Sequence, residues 1–405
     1  MVDPRDRASS VNWAELPDIY GDTGEIPSAL EAIRSADAPA RRAAYKELAD
    51  RLVSQGTRSA ASVVAARLLI DIVADESAPD RFAACQVLAQ IAIGDEEYWL
   101  TEVADIAAMR AEVARKAALT VDELEQEQAE WVAAAADEQE QRARRRRALF
   151  GDVEEDRNQL VIDLAAYDAV RAGVPVYLAA LTDPHLAVRL YASHLLAWFP
   201  EESAQIIPAL TRVIAGDPSP FVAATASVAA GLCAGQPDDA LSGALTTRRA
   251  TENLAERWSA VIGLTRVLAR PDRSLIEDLY SCMLEADAPV PNWPFLDGDI
   301  STMAALTVAR LSPETAPDRV EVLSRRVAGT RRGNDRFTLL GALLDAAFPG
   351  GIPRGTPGTA LTESQRMAAR ALVDGEIWRD GAMAKQLLAH FGLPADRRAL
   401  QAWIA

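Results

Sequence analysis

The sequence predicts an all-α chain built as a solenoid of stacked helix pairs. Apolar residues recur at helical spacing along most of its 405 residues, and two Asp-Pro turns separate such stripes at a fixed interval. No stretch alternates with a strict period of two, so β structure is expected to be almost absent.

The strongest unit begins at Val174. An apolar helix runs from Val174 to Leu181 into the turn Asp183-Pro184, and a second stripe follows at Val188, Tyr191, Leu195 and Trp198. Asp183 is placed to cap that second helix, and Pro184 fits a first turn that needs no N–H. Pro200 closes the unit. The pattern then repeats, with Ile206, Ile207, Leu210, Val213 and Ile214 ahead of Asp217-Pro218, and Val222, Thr225, Ala229 and Leu232 after it. The two turns are 34 residues apart (217 − 183), within the range of helix-pair repeats. Continuing the same step from Arg189 through Ala223 reaches Arg257, where Arg-Trp-Ser-Ala echoes Arg189-Leu-Tyr-Ala. Weaker copies flank the array at Asp37…Arg41, at Asp75…Arg81 and at Asn334-Asp-Arg336, the last leading into Phe337, Leu340, Leu344 and Phe348.

These turns resemble the HEAT-repeat family, through Asp183-Pro184 with Val188-Arg189, Asp217-Pro218 with Val222, and the Asp…Arg turns at 37–41, 75–81 and 335–336. The resemblance implies antiparallel helix pairs stacked into a right-handed, armadillo-like superhelix. It also implies that the turn Asp and the following Arg form a structural ladder between repeats, so that Asp183 and Arg189 are scaffold. Ala223 and Thr302 stand where that pattern has Arg. A finer resemblance is to bacterial HEAT proteins of toxin-immunity gene clusters. It is carried by Trp13-Ala-Glu-Leu-Pro-Asp-Ile-Tyr20-Gly21, Gln55-Gly56-Thr57, Tyr167 to Gly173, and Pro294 to Asp299. Ser54 stands where that family often has His before Gln-Gly-Thr.

Between Asp95 and Tyr167 the repeat phase is lost, which divides the chain into N-terminal repeats at 1–94, a charged helical insertion at 95–166, further repeats at 167–348, and a linker with a helical cap at 349–405. Residues 120–141 hold eight acidic side chains, Asp137 among them, and no basic one; Arg142 and Arg144–Arg147 follow at once. A thin stripe at Ala117, Val121, Leu124, Trp131 and Ala135 predicts one long, mostly solvated helix touching the array along a narrow edge. Glu138–Arg142 and Glu140–Arg144 have the favourable acid-first order, each worth roughly 0.2–0.5 kcal/mol. A self-compensated surface helix accounts for the pattern. The functional alternative is a partner-binding arm, with Trp131, Arg144 and Arg145 as contact residues.

The formal net charge of −17 repels phosphate backbones, which makes nucleic acid an unfavoured partner, and the acidic blocks around Arg144–Arg147 add to this. Solubility explains the charge, and a basic protein partner would also suit it. Arg supplies nearly all the positive charge, since Lys occurs only at 46, 116 and 385, a bias of GC-rich bacterial genomes. Cys85, Cys233 and Cys282 lie far apart in apolar stretches without a CxxC, as buried small hydrophobes would. Met1 to Arg7 has no apolar leader and no run reaches membrane-spanning length, so a cytoplasmic location is expected.

Nothing here calls for a catalytic, cofactor or metal site. His185 and His194 are nine residues apart, off a common helix face, and read as a turn and a partly buried helix histidine; His390 sits near a helix end. The glycine-rich stretch 349–358 lacks the ending of a phosphate loop and reads as a linker before the capping box Thr362-x-x-Gln365. In the Pro-rich loop 288–298, Trp293, Phe295 and Asp297 are candidate partner contacts, with packing of the loop on its own array as the plainer alternative. The expected function is a non-catalytic protein-binding scaffold, an immunity-type or regulatory factor that masks a basic partner. The alternative is a HEAT-fold enzyme resembling alkylpurine DNA glycosylases or bilin lyases, against which the missing basic groove argues. Oligomeric state stays open.

Overall fold

The computed structural model describes residues 11–22, 24–102, 105–135, 138–286, 288–329, 335–353 and 355–405. Met1 to Arg7, Asp137 and Asn334, named above, lie outside the described residues. Among the described residues the fold is all-α, with 22 α-helices and one two-stranded hairpin. Helices start at Leu186 and Pro220 after the two Asp-Pro turns and at Leu254 after Asn253, so the 34-residue step of the sequence holds at 220 − 186 and 254 − 220. The Asp of each such turn acts alike: Asp183 Oδ1 accepts the His185 N–H at 2.8 Å, and Asp217 Oδ1 accepts the Ser219 N–H at 2.8 Å. In the third copy Asn253 takes over, capping Leu254–Val267 through the Glu256 N–H. The chain divides into two units, residues 1–99 with 103–195, and residues 100–102 with 196–405.

In the first unit, Ala38–Leu52 and Ala60–Ala74 both pack on Arg81–Ile93, and Val153–Arg171 covers the last two. Arginines at the turns tie neighbouring pairs together. Arg41 Nε bonds Asp80 Oδ2 at 2.6 Å, and Arg81 pairs with Asp183, which is 102 residues further along the chain. The rings of Phe82 and Tyr191 stack at 5.9 Å beside that second rung. The second rung thus joins residues that lie on either side of the charged insertion in sequence. Arg189 adds bonds to the turn itself, from Nη1 to the carbonyls of Asp183 and Pro184.

The segment expected as one long helix is several shorter ones: Glu96–Glu102, Ile106–Ala117, Val121–Ala133 and Glu138–Phe150, followed by Val153–Arg171. Capping explains the breaks. Asp105 accepts from Ala108 N, Thr120 and Glu123 form a reciprocal capping box, and Asp152 accepts from the N–H groups of Glu154 and Glu155. The last helix is no part of a solvated arm, since it buries Ala166, Tyr167 and Val170 completely. Arg110 grips its Asp168 through both guanidinium nitrogens, at 2.7 and 2.5 Å, and fixes Ile106–Ala117 against it.

The family-like signatures are structural joints. Asp18 Oδ1 accepts the N–H groups of Tyr20 and Asp22, while its Oδ2 meets Arg51 at 2.7 Å. Gln55 and Gly56, both at positive φ, form the two-residue turn between Val53–Ser54 and Thr57–Arg58. Gly94 must be glycine there, because a Cβ would stand 2.3 Å from the Gly56 carbonyl oxygen.

In the second unit, Pro220–Cys233, Leu254–Val267 and Ile300–Ala309 are buried along nearly their whole length. Small residues permit this. A Cβ on Gly263 would lie 2.5 Å from the Ser227 carbonyl oxygen, and one on Gly231 would lie 2.9 Å from Gly263 Cα. Cys85, Cys233 and Cys282 are free and buried in core helices, as expected, and burial pushes the thiols of Cys85 and Cys233 up to about 12. Gly263→Ala is expected to lose about 1–3 kcal/mol in denaturant unfolding, through overpacking against backbone. Gly243→Ala, with no atom within 4 Å of the added carbon, is expected to gain up to about 1 kcal/mol by removing a helix glycine.

Candidate partner-binding surface

The outermost layer of the first unit is the Glu138–Phe150 helix. It packs on Val121–Ala133, which rests in turn on Val153–Arg171. None of its described residues is buried, whereas Val121–Ala133 buries Leu124. The two expected ion pairs form: Arg142–Glu138 at 2.5 Å, fully in solvent, and Arg144–Glu140 at 2.6 Å, half-buried.

The structure brings two of the sequence candidates together. The Arg144 guanidinium lies 5.0 Å from the centroid of the Trp131 ring, and Arg144 Nη1 donates to the Trp131 carbonyl. Arg144 therefore clasps the two arm helices, with Trp131 left 39% exposed beneath it. Arg145 points outward, and Arg146 and Arg147 beside it are exposed as well; these three carry no ion-pair partner among the described residues. Leu149, at 82% exposure, completes this face and was not singled out from sequence. A single apolar residue just past an arginine run gave no periodic signal of its own.

Trp293 and Phe295 are corrected. Both are buried, at 2% and 0% exposure, and so are not offered to a partner. Their rings meet at 5.3 Å, and Phe295 packs edge-on against Trp198 at 5.9 Å. The loop closes on itself through the Val290 N–H and Gly298 carbonyl at 2.8 Å, which turns its aromatic residues inward. The closure draws Asn292, Leu296 and Asp297 into positive φ, and Asp297 alone of the three candidates in this loop remains exposed.

A cleft of about 450 Å³ opens at the second rung, lined by Val73, Glu76, Arg81, Pro175, Asp183 and His185 among others. The Arg81 and Asp183 atoms in its wall are engaged in the joint. Arg81 donates to the Val73 carbonyl from Nε and Nη2 and pairs with Asp183, whose other oxygen holds the His185 N–H. His185 is exposed, with Nδ1 3.2 Å from Asp183, while His194 is buried 3.4 Å from Glu96. Burial raises the Asp183 carboxyl, but the His185 N–H and Arg81 together outweigh it and hold the group below its ordinary range. Among the described residues no group of three or more His, Cys, Asp or Glu side chains is placed to hold a metal, and no helix is long and apolar enough to cross a membrane.

No protein-family model matches this chain, and no curated protein matches it. Among solved structures it is similar to a crystal structure of an engineered protein from a structural genomics consortium. That match has 15% identity over 93% of this chain and 99% of that chain, with a TM-score of 0.30.

The second rung has a pH signature. Because the Asp183 carboxyl is depressed in the folded state, its contribution is present above the unfolded value near ~4 and is lost as pH falls through the lower folded value. Asp183→Asn is expected to lower the melting temperature at neutral pH and to flatten its fall below about pH 4. Arg81→Met, which leaves the carboxylate buried without its cation, is expected to cost about 3–5 kcal/mol in denaturant unfolding at pH 7.

Proposed function

We propose that this chain is a non-catalytic HEAT-repeat scaffold of the bacterial cytoplasm that binds and masks another protein, as an immunity-type or regulatory factor. The observation that carries the reading is the Glu138–Phe150 helix, none of whose described side chains is buried. A helix of 13 residues is marginal in water by itself, so a segment so weakly tied to the core is accounted for by what it meets outside. The ladder supports this, because Arg81 and Asp183 join helices on either side of the insertion without using the Glu138–Phe150 helix.

The partner is a basic protein. Asp122, Glu125, Glu155 and Asp156 are exposed around the arm, and the chain as a whole carries −17. Such a field speeds encounter with a cationic surface and fixes its orientation. Trp131 under Arg144 supplies an amphipathic anchor there, and Asp297, in the second unit, is kept as a separate candidate contact.

Affinity capture from the native host tests the reading. A basic protein is expected to be recovered at roughly 0.05 M salt and largely released at roughly 0.5 M. Trp131→Ala is expected to weaken its capture about tenfold, in the range of an interface hot spot, with the melting temperature little changed. Salt-independent recovery of a neutral partner would refute the basic-partner reading, and recovery untouched by Trp131→Ala would remove the arm from the interface.

A further inference from the structure

The cleft at the second rung is not used by the arm. Its volume of about 450 Å³ lies within the roughly 300–1,000 Å³ of small-molecule sites. Val73, Pro175, Val176 and Ala179 give it an apolar wall, and Glu76, Thr182 and His185 stand among its polar lining. Val73 is buried, whereas Glu76, Ala179, Thr182 and His185 are exposed. The opening therefore has an apolar floor and a polar rim.

The charge of the lining is not balanced. Arg81 and Asp183 neutralise one another across the rung. Glu76 has no ion pair or hydrogen bond among the described residues, so one carboxylate is left uncompensated. The polar groups that remain available accept hydrogen bonds. Thr182 Oγ1 already donates to the Ala179 carbonyl at 3.0 Å, which leaves its oxygen lone pairs. His185 Nδ1 lies 3.2 Å from Asp183 Oδ1, and an ionised carboxylate only accepts. The ring proton is then on Nδ1, and Nε2 is left as an acceptor. Arg81, the donor-rich side chain of the lining, has Nε and Nη2 on the Val73 carbonyl and Nη1 on Asp183.

We propose that this cleft binds a primary alkylammonium, with Glu76 as its counter-ion and Val73, Val176 and Ala179 around its stem. An ammonium has three N–H donors and no acceptor, which matches a lining whose available groups accept. An anion of the same shape would meet Glu76 with no disengaged cation to offset it. The stem covers apolar surface that otherwise faces water. The site lies within the first unit and stands apart from the arm and its partner. A free amine and a lysine side chain of another protein share this chemistry.

The test is a ligand-observed NMR titration of the full chain at neutral pH and low ionic strength. The probes are methyl-, ethyl- and n-butylammonium, n-butyrate and Nα-acetyl-lysine methylamide. Saturable binding of n-butylammonium is expected at a Kd on the order of 1 mM, as suits so small a ligand, with none of n-butyrate. Affinity is expected to rise roughly fourfold for each added methylene, the mark of a buried stem. Glu76→Gln is expected to weaken binding about tenfold or more, as loss of a charged hydrogen-bond partner does. Ala179→Phe is expected to abolish binding by filling the cleft. Both positions are exposed, so circular dichroism and melting temperature are expected to hold; if one variant misfolds, the other decides. Tighter Nα-acetyl-lysine methylamide assigns the site to a protein lysine, and tighter n-butylammonium to a free amine. Trp131→Ala is expected to leave this binding unchanged, so the arm and the cleft fail separately. Absence of saturable n-butylammonium binding, equal affinity along the alkyl series, or binding unchanged in folded Glu76→Gln overturns the proposal.

Discussion

The first unit depends on the arginine ladder between inter-helix turns. Stacked helix pairs bury apolar faces that are nearly interchangeable, with Ala, Val, Leu and Ile at each position. Such faces tolerate exchange of one apolar residue for another of similar volume, so they specify register weakly. Arg41 on Asp80 and Arg81 on Asp183 fix the register by pinning one turn to the next. Removing Arg81 would leave the buried Asp183 carboxylate without its cation, which penalises slippage at the second rung. The second unit achieves close registration by other means, through glycines that let Pro220–Cys233 and Leu254–Val267 meet backbone to backbone.

Much of this was legible in sequence because it is local. The 34-residue step appears in helix starts at 186, 220 and 254 because Asp, Ser and Asn side chains cap backbone N–H groups a few residues on. The breaks in the charged insertion were legible by the same rule, at Asp105, Thr120-x-x-Glu123 and Asp152. They were overridden by the apolar stripe, which continues in register through the breaks.

The site was less legible, for reasons that are tertiary. The fate of Trp293 and Phe295 depends on a loop closing between Val290 and Gly298, which composition does not reveal. The pairing of Arg144 with Trp131 joins two helices across a turn, outside the reach of i,i+4 reasoning.

The rung between Arg81 and Asp183 also sets a timetable. Asp183 leaves the ribosome 102 residues after the arginine it must meet, and at roughly 5–20 residues per second that interval is about 5–20 s. Throughout it the nascent chain holds Ala60–Ala74 and Arg81–Ile93 with the flank awaiting Val153–Arg171 uncovered, and an arginine without its mate. Lengthening the arm further would cost the finished protein little, since loop-closure entropy grows only slowly with length. It would instead prolong this exposed stage, so the length of the arm is limited by synthesis and aggregation before it is limited by stability.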